Sequence, residues 1–185
     1  MAVVVAMLRG VNLAGHKKVS METLRTLCVG LGLRGVQTYI QSGNVVFHED
    51  SGDAVALARR LEDGIEKKFG FRAGVLVRTV SEMRKVIANN PFGGRSTIEP
   101  SRVLVVFLAS APTRQTREQI LAIDREPEEM HVKGRELYIY YPNGMARPKI
   151  PMARIEKMLQ CSSTGRNWNT VNKLLAMAEL LEDSE

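Results

Sequence analysis

The sequence predicts an α+β fold made of two ferredoxin-like (split βαβ) halves in tandem. Two observations predict it. Strand, helix, hairpin, helix and strand patterns follow one another through residues 1–80, and the same order begins again at Arg102. The second half ends in helical patterns, so we expect it to lack its last strand. The expected divisions are 1–80, a connecting helix and loop over 81–101, and 102–185 with a C-terminal helix.

The elements of the first half follow from local patterns. Val3–Leu8 is a short apolar run closed by glycine, which is typical of a buried strand. Ser20 is placed as an N-cap for a helix that Gly32 ends, and Asp53 as the cap of a second helix. The remaining strands are expected at Val36–Gln41, Val45–His48 and Ala73–Val80, the first two joined by a turn at Ser42-Gly43-Asn44.

The second half repeats this order approximately. Ser81–Ala88 is expected to be a connecting helix, and Pro151 suits the first turn of a later one. The final helix should run from about Asn167 to Leu181, because Trp168, Val171, Leu174 and Leu175 recur at helical spacing. The other expected elements are Arg102–Leu108, Thr113–Ile123, Met130–Lys133 and Glu136–Tyr141.

Composition excludes several classes of protein. The chain has 185 residues, 44% of them hydrophobic and 25% charged, which is ordinary for a globular protein. No apolar run approaches the length of a membrane span, and no basic stretch precedes the first apolar run as in a secretory signal. The two cysteines, Cys28 and Cys161, form no CxxC pair. We therefore expect a cytoplasmic protein without membrane partner or disulfide framework.

Positive charge is concentrated near the N-terminus. The formal net charge is +6, from 26 Lys and Arg against 20 Asp and Glu. In residues 1–48 the only acidic residue is Glu22, and it opposes Arg9, Lys17, Lys18, Arg25 and Arg34. Segregated positive charge attracts phosphates and nucleic acid. An ordinary basic surface with no specific partner is the alternative.

Two polar segments are predicted to meet at one edge of the first sheet. In a split βαβ unit the first two strands run parallel, so the residues that follow each strand emerge at the same edge. This places six polar side chains on one surface: Arg9, Asn12, Lys17, Lys18, Ser42 and Asn44. Loops on a rigid sheet often carry binding residues. The sequence therefore predicts a ligand-binding site there, and structural turns with solvated lysines are the alternative.

Neither glycine-rich segment matches a nucleotide-binding fingerprint. In Gly10–Lys17 a histidine separates the second glycine from the lysine, and no hydroxyl follows, so it is not a P-loop. Gly30–Gly35 spells GxGxxG but closes a helix instead of opening one. We predict no bound cofactor.

A second candidate contact set precedes the last helix. Arg166, Asn167 and Thr170 could hold an anion there, although helix capping is the favoured interpretation. Catalytic and metal patterns are sparse: the three histidines show no ligand spacing, and His16 alone lies near the predicted site as a catalytic candidate. Cys28 falls on an apolar helix face, whereas Cys161 in a polar segment is the more reactive candidate.

The motifs together resemble a known family. They are Leu8–Lys18 (LRGVNLAGHKK), Met21, Thr38–Phe47 (TYIQSGNVVF), Asn90-Pro91-Phe92 and Thr164–Thr170 (TGRNWNT). In these the chain resembles the bacterial domain of unknown function 1697 family. The resemblance implies a stand-alone bacterial protein without an assigned activity, and it supplies no catalytic residues.

These observations favour a binding module for an anionic, phosphate-bearing small molecule or nucleic acid. One alternative is an enzyme acting on such a molecule, with His16 as general acid or base and the lysines stabilising charge. Another is a protein–protein interaction module whose polar loops are structural.

Overall fold

The protein has an α+β fold, as expected. The computed structural model describes residues 2–13 and 15–184, and within them it contains six α-helices and two four-stranded antiparallel sheets. The first part of the chain comprises β1 (Ala2–Leu8), α1 (Met21–Gly30), β2 (Arg34–Tyr39), β3 (Asn44–Glu49), α2 (Ala54–Phe69) and β4 (Val75–Thr79). It is followed by α3 (Val80–Ala88), β5 (Val103–Leu108), α4 (Arg114–Leu121), β6 (Glu129–Lys133), β7 (Glu136–Tyr140), α5 (Met152–Leu159), β8 (Ser163–Asn167) and α6 (Trp168–Glu182).

The two sheets have the same connectivity. Their strand orders are β2-β3-β1-β4 and β6-β7-β5-β8, and every neighbouring pair is antiparallel. The backbone also repeats in detail where the first strand of each sheet ends. Leu8 N donates to Gly43 O at 2.8 Å, and Leu108 N donates to Arg135 O at 2.9 Å. The repeated order seen in the sequence is therefore present in the pairing of the strands.

The second half does not lack its last strand. Ser163–Asn167 forms β8 and pairs with β5, with Val105 opposite Arg166. The sequence predicts only helices here, because Thr164–Thr170 leads directly into the helical pattern of the last helix. The buried side chains of β8 are polar: Ser163, Thr164 and Arg166. The strand is defined by its hydrogen bonds to β5, which no local pattern reveals.

Each sheet packs two helices against one face. Leu24 and Cys28 of α1 and Leu61 and Ile65 of α2 are buried against Phe47 and other apolar residues of the first sheet. In the second sheet, Ile120 of α4 and Ile155 of α5 occupy the same place over Ile139. The central strands are buried on both faces, which explains why β1 is apolar at every position.

The chain forms two compact units. One comprises Met1–Arg84 and Lys173–Glu185, and the other Lys85–Asn172. Helix α6 therefore begins in the second unit and ends in the first. The repeated element order divides the chain into 1–80 and 102–185. The compact units divide it at other residues, because α6 is shared between them.

Candidate functional site

Asn12 holds the loop between β1 and α1 in place. Its side-chain Nδ2 donates to Val19 O at 2.9 Å and to Gln41 O at 2.6 Å, and its Oδ1 accepts from Val19 N at 2.9 Å. The backbone of Asn12 has φ 56°, a conformation that asparagine tolerates better than most residues. One side chain therefore closes the loop on itself and ties it to the β2–β3 turn.

The β2–β3 turn, residues 40–43, packs closely against that loop. A Cβ on Gly43 would lie 2.8 Å from Leu8 Cβ and 2.8 Å from Val11 Cγ2, and Gly43 has φ 76°. Asn44 begins β3 instead of belonging to the turn, and it is fully buried. Its Nδ2 donates to Tyr39 O and to Ser42 Oγ, both at 2.9 Å. Asn44 therefore supports the turn from inside. We call residues 9–13, 15–20 and 40–43 together the loop pair.

The cations of the loop pair differ in their surroundings. Arg9, Lys17 and Lys18 are all exposed. The Lys17 ammonium donates to Arg72 O at 3.1 Å and lies 5.9 Å from the centre of the Phe71 ring. Lys17 is thus partly held by the segment between α2 and β4.

Arg72 is a neighbour that the sequence did not reveal. Its guanidinium contacts Asp63 at 3.0 Å, Glu66 at 2.9 Å and Glu62 at 2.9 Å. The hydrogen bonds that Arg72 donates to Asp63 and Glu66 raise the pKa of its guanidinium. The three carboxylates on α2 offset part of the positive charge beside Lys17. A signal existed in their spacing along α2, but only the tertiary fold brings Arg72 to them.

The Arg166 set belongs to the other unit and has structural contacts. Arg166 is 6% exposed, and its Nη1 donates to Thr164 Oγ1 at 2.9 Å and Gly165 O at 2.8 Å. Burial lowers the pKa of Arg166 to about 10. Asn167 Oδ1 accepts from Asn169 N at 3.0 Å, which caps α6, and Thr170 is 9% exposed. Arg166 and Asn167 therefore have partners within the protein, and Thr170 is buried.

His16 lies in the loop pair, at the solvent. Its backbone N donates to Leu13 O at 2.9 Å, and the residue is exposed. None of the hydrogen bonds among the described residues involves its ring. A general base is normally oriented by a hydrogen-bonding partner, so this imidazole has the position but not the support of a catalytic residue.

The two thiols differ in access. Cys28 is fully buried in the first core, and burial raises the pKa of its thiol to about 12. Cys161 is half-buried, with its Sγ 3.9 Å from Ser110 O.

We expect a disulfide reagent to modify Cys161 in the folded protein and Cys28 only after unfolding. At pH 8 a thiol with a pKa of about 12 is about one part in 10,000 thiolate, the reactive form. The measurement is the rate of thiol titration with and without urea. The Cys161→Ser variant should show no reaction with the reagent until urea unfolds the protein. Rapid reaction of that variant in buffer would contradict the expectation.

Surface concavities occur elsewhere on the units. A concavity of about 740 Å³ is lined by residues 122–131, and one of about 690 Å³ lies beside Lys149 and Arg154. A third, of about 550 Å³, lies along α2, beside Leu31 and Arg59. None of these three contains a residue of the predicted site.

Two kinds of feature are absent from the described residues. Within residues 2–13 and 15–184, no three His, Cys, Asp or Glu side chains come together as a metal site requires. In the same part of the chain, none of the helices combines the length and apolar character needed to cross a lipid bilayer.

The fold defines the class of protein: a mixed α+β protein with two similarly connected antiparallel sheets, in which the hydrogen bond from Asn12 to Gln41 O joins two loops at one sheet edge. The model of the family described as "Protein of unknown function (DUF1697)" matches residues 1–138. The chain belongs to that family, and the resemblance found in its motifs is confirmed.

A solved structure shares this fold. It is that of the conserved bacterial protein SP0830 from Streptococcus pneumoniae, with a TM-score of 0.72 and 21% sequence identity. The match covers 96% of this chain and 98% of that one. At this identity the likeness shows the fold alone. No curated protein matches the sequence.

Proposed function

We propose that the loop pair binds an anionic, phosphate-bearing ligand, either a small molecule or a nucleic acid. The observation that carries the proposal is the Asn12 amide, which joins a loop with three exposed cations to a neighbouring turn at 2.6 Å. A binding loop that is already ordered loses little conformational entropy when its ligand arrives. Charge and rigidity therefore coincide at one sheet edge.

The predicted site residues would have two kinds of role. Arg9, Lys17 and Lys18 are exposed and would contact the phosphate. Asn12, Ser42 and Asn44 would hold the loop pair in shape, because their side-chain hydrogen bonds are made within it or between it and the adjoining strands. Arg166, Asn167 and Thr170 stay a second predicted contact set, although their bonds support a structural role more than a binding one.

The matching connectivity also supports a fold proposal. In each half a strand, a helix, a two-stranded hairpin, a second helix and a fourth strand follow one another in the order of a split βαβ unit. We infer that the protein is a tandem of two ferredoxin-like halves, both with four strands. It would act in the cytoplasm and without a membrane partner, as its composition suggests.

Removing both loop lysines should weaken phosphate binding. In the Lys17→Ala/Lys18→Ala variant we expect the dissociation constant for a short oligonucleotide or a polyphosphate to rise about tenfold at low salt. With an oligonucleotide, the slope of log affinity against log salt should fall by about 2, since each phosphate contact contributes about one unit. The measurement is a salt-dependent titration against nucleotides, sugar phosphates, short RNA and short DNA.

The matched control removes the same charge elsewhere. Lys133 and Lys157 are exposed and lie in the other unit, so Lys133→Ala/Lys157→Ala should leave both affinity and salt slope unchanged. If both double variants weaken binding equally, the attraction is general and not placed on the loop pair. If no anion binds the wild type at low salt, the proposal fails and the protein–protein alternative leads.

The enzyme alternative has a separate test. If a bound phosphate ester is turned over, His16→Ala should bind it and turn it over slowly or not at all. Turnover unchanged by His16→Ala would remove the only catalytic candidate near the loop pair.

A further inference from the structure

Two large apolar side chains stand exposed on the loop pair. Leu13 is 64% exposed, and Ile40 is 47% exposed. Asn12 Nδ2 donates a hydrogen bond to Gln41 O at 2.6 Å. Leu13 follows the donor residue in the chain, and Ile40 precedes the acceptor residue. The two apolar residues therefore flank one hydrogen bond within the loop pair, which also carries the exposed cations.

Ile40 has a backbone conformation that isoleucine rarely adopts. Its φ is 48°, in the left-handed region, where a β-branched side chain is a genuine outlier. Asparagine or glycine would fit this turn position with less strain. Strained residues cluster at ligand sites, so the outlier motivates a functional hypothesis.

Burial does not compensate Ile40 for this strain. With almost half of its surface exposed, it gains much less from the hydrophobic effect than a core residue such as Phe47, which is 0% exposed. An apolar group that is both strained and exposed contributes little to the stability of the fold. Contact with an apolar part of a ligand would bury the Ile40 side chain and so contribute to binding.

We propose that the ligand of the loop pair is a nucleotide unit, free or within a single strand. This rests on the proposed function, and it adds that the phosphate lies on Arg9, Lys17 and Lys18 while the nucleobase covers Leu13 and Ile40. A nucleobase has a broad apolar face, and its ester carries the phosphate a short distance away. An inorganic phosphate would meet the cations and leave both apolar side chains in water.

The test compares ligands with and without a base on matched variants. The probes are ATP, a short single-stranded oligonucleotide and tripolyphosphate, which has the charge but not the base. We expect Ile40→Asn and Leu13→Ser each to weaken ATP or oligonucleotide binding about fivefold and to leave tripolyphosphate affinity unchanged. Whether ATP or the oligonucleotide shows the effect identifies the source of the nucleotide.

Stability provides a second readout. If Ile40 had only a structural role, replacing it would not make the protein more stable. Ile40→Asn should raise the urea midpoint of unfolding, because asparagine tolerates the positive φ. A variant that is more stable yet binds the nucleotide more weakly would separate binding from folding. The control is Val29→Ser, which removes an apolar side chain that is 58% exposed on α1. It should change neither the affinity for the nucleotide nor the affinity for tripolyphosphate.

Each failure has a different meaning. Wild-type protein that binds tripolyphosphate as tightly as ATP, or variants that lose both equally, would overturn the nucleotide inference and leave the anion site standing. Hexyl phosphate bound as tightly as the nucleotides would show an apolar preference without a base, and would also overturn it. Protein that binds none of the probes at low salt would remove the proposed function itself, and this inference with it.

Discussion

Replacing Gly43 with alanine is expected to destabilise the protein by about 3 kcal/mol. The φ of 76° costs an L-residue about 1–2 kcal/mol, and the new Cβ would lie 2.8 Å from both Leu8 Cβ and Val11 Cγ2. Those atoms are buried and belong to the first core, so making room for a methyl group adds about 1–3 kcal/mol. The measurement is the free energy of unfolding from urea titration.

Gly52 supplies the matched control for this change. It has φ 68°, but a Cβ there would meet nothing within 4 Å. Gly52→Ala should therefore show the backbone cost alone, about 1–2 kcal/mol. The difference between the two variants measures the close approach of the turn to the end of β1. Equal effects would contradict the packing of the loop pair described above.

Replacing Asn12 with alanine is expected to destabilise the protein by roughly 4 kcal/mol. The change removes three side-chain hydrogen bonds, to Val19 N, Val19 O and Gln41 O, and places alanine at φ 56°. Each partner left without its bond costs about 1 kcal/mol, and the backbone conformation adds about as much. Phosphate binding by the loop pair should weaken in the same variant, because the two segments are no longer joined.

Two further variants separate the causes. Asn12→Gly loses the same three bonds but tolerates the positive φ, so it should be the more stable of the two substitutions at this position. Asn172→Ala removes one exposed bond, from its Nδ2 to Trp168 O within α6, and should change stability by less than about 0.5 kcal/mol. An Asn12→Ala protein as stable as Asn172→Ala would mean that Asn12 does not hold the loop.

Much of the fold could be predicted because its signals are local. Ser20 and Asp53 cap α1 and α2 as expected, with side chains that accept from Thr23 N and from Val55 N and Ala56 N. The strand β1 was equally plain, since a strand buried on both faces is apolar at every position. These features need only a short stretch of chain to be recognised.

The candidate site was partly predictable for the same reason. The two polar segments follow strands whose relative direction comes from the split βαβ order, and the hydrogen bond from Asn12 to Gln41 O joins them. The roles within the site were not predictable. Asn44 looks like a polar turn residue in the sequence but is fully buried, and Arg72 enters the surroundings of Lys17 from a distant segment.

The sequence by itself determined the α+β class, the helix caps, the repeated element order and the concentration of cations near the N-terminus. Each of these depends on residue types at short spacing. Only the tertiary structure decided that Ser163–Asn167 is a strand, that the Asn12 side chain joins the loop to the β2–β3 turn, and that Ile40 is strained and exposed. These depend on partners or dihedral angles set by distant segments: β5 supplies the hydrogen bonds of β8, and the packing of β1 against the turn fixes the backbone at Gly43. Local propensity is weak wherever a polar segment is folded by its neighbours, and there the long-range contacts decide.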